Sequence, residues 1–139
     1  MHVSQMFTHS LPYANLVQTA LHLCDTMLSR SDTLYPFAVL RNDDDDVQMV
    51  FAEYSNQFAR PKMIEELEQQ LQERSLHRAN SIALIAYAAS IQSENGEDHG
   101  AIVLNITDAS GDNTITIYPY KKQATFLDFG TPFTCNFTD

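Results

Sequence analysis

A chain of 139 residues, 44% hydrophobic and 19% charged, can bury a core without staples, so the expectation is one ordered domain over residues 1–139. Eighteen acidic against eight basic residues give a formal charge of −10. That field repels phosphate backbones and anionic lipid, so neither nucleic acid nor membrane is an expected partner.

The first residues, Met1-His2-Val3-Ser4-Gln5-Met6, lack the basic and apolar regions of a secretory signal, and a cytoplasmic location is expected. Cys24 and Cys135 are too few and too far apart for a disulfide framework, which fits a reducing compartment. From Pro12 to about Ser29, Tyr13, Leu16, Val17, Ala20, Cys24, Met27 and Leu28 follow the three-and-four spacing of one helix face. Pro12 suits a first helical turn because the amide it lacks would be unbonded there.

Tyr35 to Arg41 and Val47 to Glu53 are short β-branched or aromatic segments around the acidic run Asn42-Asp43-Asp44-Asp45-Asp46, which predicts a hairpin. In the second strand Val47, Met49 and Phe51 share one face and Gln48 and Val50 the other, so at least one side must pack. Pro61 opens a second helix whose narrow stripe is Ile64, Leu67 and Leu71. Ile82 to Ile91 is an apolar run with few polar breaks, the pattern of a central strand buried on both faces.

Ala101 to Thr107 and Asn113 to Tyr120 alternate like strands around Asp108-Ala109-Ser110-Gly111-Asp112, which predicts a second hairpin. Thr125 to Phe129 adds an edge strand, and Phe133 to Asp139 carries no readable pattern. The predicted fold class is α+β: a single-layer, mainly antiparallel sheet with two helices, in the order α-β-β-α-β-β-β with one further strand. This order resembles that of roadblock-type and profilin-like domains, an analogy of element order without a shared motif.

Clustered carboxylates are hard oxygen ligands, and Asn42, Asp44, Asp46 and Glu53 fall at positions one, three, five and twelve of an EF-hand loop. The sixth position is Val47 where that loop needs Gly, and strand follows where helix is required. A solvated turn is the better reading. The five histidines show no metal-ligand spacing, no nucleophile elbow is present, and Cys24 on an apolar stripe is expected to be inert. No metal or cofactor is expected.

Tyr118-Pro119-Tyr120-Lys121-Lys122 is the one place where aromatic and basic residues interleave. Tyr118, Tyr120, Lys121 and Lys122 are therefore the candidate ligand or partner site, acting by stacking and charge. The plainer reading is a strand end whose lysines blunt an exposed edge. The expected function is a protein-interaction domain, a homodimer of adaptor, antitoxin or immunity type. The alternatives are a profilin-like small-ligand or sensor domain, and an enzyme whose site assembles only in space.

Overall fold

The computed structural model describes residues 14–31, 33–41, 47–51, 60–75, 81–92, 95–108 and 110–135. In chain order these form α1 (Ala14–Arg30), β1 (Phe37–Arg41), β2 (Val47–Phe51), α2 (Arg60–Ser75), β3 (Ile82–Gln92), β4 (Asp98–Thr107), β5 (Asn113–Lys122), β6 (Leu127–Phe129) and β7 (Phe133–Cys135). The result is the expected α+β fold with one sheet. Its strand order is β2-β1-β3-β4-β5-β6, with β7 also on β5, and each neighbouring pair is antiparallel.

Residues two apart along a strand share a face, and the apolar residues on each face of β3 call for a separate cover. Ile82, Leu84 and Ala86 join Phe37, Val39, Ile102, Leu104 and Ile106 beneath Leu16, Val17, Ala20, Cys24 and Leu28 of α1. Ile85 joins Ala38, Leu40 and Val50 beneath Leu67 and Leu71 of α2. The sheet therefore has an α1 face and an α2 face, and β3 is central between β1 and β4, as its apolar run predicted. Met63, not assigned to the α2 stripe from the sequence, is also buried.

The polar side of α1 satisfies itself. The Thr19 hydroxyl donates to the Asn15 carbonyl at 2.9 Å and the Thr26 hydroxyl to the His22 carbonyl at 3.0 Å, the back-bonding that lets threonine tolerate a helix. At the C-terminal end, the Lys122 Nζ donates to the Ser31 carbonyl at 3.4 Å, placing a cation at the negative end of the helix dipole.

The tail holds a strand that no local pattern announced. β6 pairs with Tyr120–Lys122 and β7 with Ile115–Ile117, end to end along one edge of β5. Pro119 lies level with the break between them, and its carbonyl accepts from the Gly130 amide at 2.7 Å. A proline lacks the ladder donor, so a break in the neighbouring strand is where a sheet tolerates it.

The β4–β5 turn is organised by Asp108. Its Oδ1 accepts from the Ser110 amide at 3.0 Å, the Ser110 hydroxyl at 2.7 Å and the Asp112 amide at 3.0 Å, while Gly111 takes φ +92°, a conformation glycine adopts without strain. The Ser110 hydroxyl holds this carboxyl below its ordinary value, against an opposing effect of desolvation and with the further help of the Asp112, Ser110 and Gly111 amides. A lowered folded-state value means that the contribution is present above the ordinary carboxylate range and lost as pH falls through the folded value. Wild type is therefore expected to be more stable than Asp108→Ala at neutral pH, with the gap closing in urea melts below about pH 4. A pH-independent gap would assign the effect to turn geometry alone.

Candidate functional site

Alternation along β5 separates the aromatic and basic cluster. Tyr118 and Tyr120 lie on the α1 face by their register with β4, Lys122 lies there by its pairing with the buried Leu127 of β6, and Lys121 falls on the α2 face. The two tyrosines pack against the α1-side core, and Phe129 meets both rings edge-on at 6.3 and 6.4 Å. Lys122 reaches the end of α1. Period two was the signal in the sequence that two adjacent lysines leave a strand on opposite sides.

An open cleft of about 450 Å³ at this end of the sheet is lined by Leu28, Asp98, His99, Gly100, Tyr120, Lys121 and Lys122. It brings together three of the four residues singled out from the sequence, but its charges are mixed, and His99 Nε2 lies 3.9 Å from Glu97 Oε2. Gly100 is the cross-strand partner of Tyr120, and a Cβ at this position would stand 2.5 Å from the tyrosine Cζ. The glycine lets the ring lie flat over β4. Gly100→Ala should therefore swing Tyr120 into solvent and cost about 1–3 kcal/mol. An unchanged tyrosine ring environment in the NMR spectrum of the variant would contradict this.

The other end of the sheet carries a different surface. Val50 is the buried residue of β2, whereas Val47, Met49 and Phe51 are exposed. The face of β2 with three large apolar residues is thus the one turned to solvent. Phe51 is 49% exposed although its ring stands 6.2 Å from the buried Phe37. Among the described residues six large hydrophobic side chains are exposed, and three of them, Val47, Met49 and Phe51, stand on β2. Tyr35 enters β1 two residues before Phe37, the partner of Phe51.

Cys24 is buried, and desolvation pushes its thiol up to about 12, which keeps it protonated and unreactive. Cys135 lies on β7, with its register on the α2 face, so the two thiols are on opposite sides of the sheet. Among the described residues no three His, Cys, Asp or Glu side chains come together as a metal site. Asn42, Asp44, Asp46 and Glu53 lie outside the described residues.

Among the described residues no helix is long and apolar enough to cross a membrane. Compared with protein-family models, curated proteins and solved structures, the chain finds no match in any of the three.

Proposed function

We propose that this chain is a protein-interaction domain and that the β2 edge is the surface it presents. The observation that supports the reading is the concentration of exposed apolar side chains there. Val47, Met49 and Phe51 stand on one face of β2, which ends the strand order of the sheet among the described residues. Natural sheets blunt such edges with lysine, proline or inward charge, and β2 carries none of these. Leaving three large apolar residues in water is unfavourable, and burial against a partner removes that cost.

The test is a pull-down from the native host's lysate with wild type and Met49→Lys, read by mass spectrometry. Met49 is exposed, so the variant should melt within a few degrees of wild type. A protein retained by wild type and lost with the variant is the expected result. Identical captured sets would remove the edge from the reading.

A second reading, a small-ligand domain, has the cleft at Tyr120 as its support. Its aromatic wall and flanking lysines suit a small anion, and saturable chemical-shift changes at His99 and Tyr120 in a metabolite screen would favour it over the edge.

A further inference from the structure

At the end of the sheet away from β2, we infer that β7 is a strap that opens from β5 on its own while β6 stays in place, baring the backbone groups of Ile115 and Ile117. The tail from Leu127 to Cys135 lies along one edge of β5 but is not one continuous strand. Phe129 stands opposite Tyr120 on the α1 face, whereas Phe133 stands opposite Ile117, which the register through Val103 and Tyr87 puts on the α2 face. In an unbroken strand residues four apart share a face, so the register slips by one residue across Gly130-Thr131-Pro132. That slip divides the tail into two pieces with a hinge between them.

The two pieces are held differently. Leu127 is buried in the α1-side core, its amide donates to Asp25 Oδ1 at 2.7 Å, and Phe129 meets the rings of Tyr118 and Tyr120. Beyond its ladder, β6 is thus fixed to α1 and to the core. In β7 Phe133 is 44% exposed, Thr134 is exposed and Cys135 is half-buried, so its pairing with Ile115, Thr116 and Ile117 is backed by little buried apolar area. Segments with few buried contacts open at a lower free energy than the core, as units of their own. A covering strand also keeps a sheet edge from pairing with other chains, so the strap sets whether this stretch of β5 is closed.

Alternation identifies the groups that report on the strap. The Gly130 amide donates to the Pro119 carbonyl, so the odd-numbered residues of β5 turn their backbone groups toward the tail. β7 therefore covers the amides of Ile115 and Ile117, and β6 covers that of Lys121. Native-state amide exchange on the full chain should show protection at Ile115 and Ile117 about tenfold or more below that at Lys121, and unchanged by low urea. Asp25→Ala should speed exchange at Lys121 and leave Ile115 and Ile117 as in wild type. Phe133→Pro removes a ladder donor of β7 and should strip protection from Ile115 and Ile117 alone.

Equal protection at all three amides, or a joint response to Asp25→Ala, would make the tail one unit and overturn the inference. Loss of protection at Lys121 in Phe133→Pro would overturn it too, since the hinge would then not stop the opening. Unchanged exchange at Ile115 and Ile117 in that variant would show that β7 does not cover them. A Phe133→Pro chain that fails to fold would make β7 part of the global structure, and either result sinks the strap.

Discussion

Urea melts of Ile85→Ala are expected to show a loss of about 2–5 kcal/mol, the cost of removing buried carbons plus that of the cavity left behind. Ile85 is 4% exposed and packs in the smaller core with Leu40, Leu67 and Leu71. Its cross-strand neighbours are Ala38 on β1 and Asn105 on β4. An alanine and a polar amide cannot swell into the void, so the site should collapse poorly and the loss should lie well above the minimum. Leu84→Ala, one residue earlier and fully buried on the α1 face, should fall in the same range by emptying the other core. Loss below about 1 kcal/mol at either position would contradict the placement of β3 between two helices.

Asp25→Ala should cost about 1–3 kcal/mol, because it strands a backbone donor. The Asp25 Oδ1 accepts from the Leu127 amide at 2.7 Å and from the Ser29 hydroxyl at 3.2 Å, tying the last turns of α1 to β6 across 102 positions of sequence. The Leu127 side chain is buried in the α1-side core, so its N–H cannot turn to water without moving that side chain. Asp25→Asn keeps an acceptor oxygen and should lose less. Hydrogen exchange at Leu127 is the sharper readout, and equal protection in wild type and the alanine variant would show that the bond does not hold the strand.

Element type was largely legible in the sequence, and the reasons are local. The three-and-four spacing of Leu16, Val17, Ala20, Cys24 and Leu28 predicted the buried stripe of α1. The apolar run from Ile82 to Ile91 predicted a strand buried on both faces, which the structure shows for Ile82 and Leu84 to Ala86, whereas Tyr87 to Ile91 are half-buried or exposed. Boundaries were less legible. β4 begins three residues before the apolar segment, at Asp98, because Asp98, His99 and Gly100 pair with Gln92, Ile91 and Ser90, and backbone pairing does not require apolar side chains. β7 was invisible because three mixed residues acquire strand geometry only from the free edge that β5 offers them.

The candidate site was legible only in part. The sequence grouped Tyr118, Tyr120, Lys121 and Lys122. The sheet places the tyrosines against the core, Lys122 at the end of α1 and Lys121 on the opposite face. For β2 the sequence shows two faces without saying which one packs. Registry with β1 decides it, since Val50 stands opposite Ala38 on the α2 side while Val47, Met49 and Phe51 share the α1 side. Periodicity and turn chemistry along the chain determined the α+β class, the order of helices and strands, and most of the core, because short-range backbone and side-chain preferences set each of these. Only the tertiary structure decided the exposed apolar edge, the cleft at Gly100 and the anchoring of β6 by Asp25. Each depends on residues far apart in sequence, and no local pattern carries the distance between them.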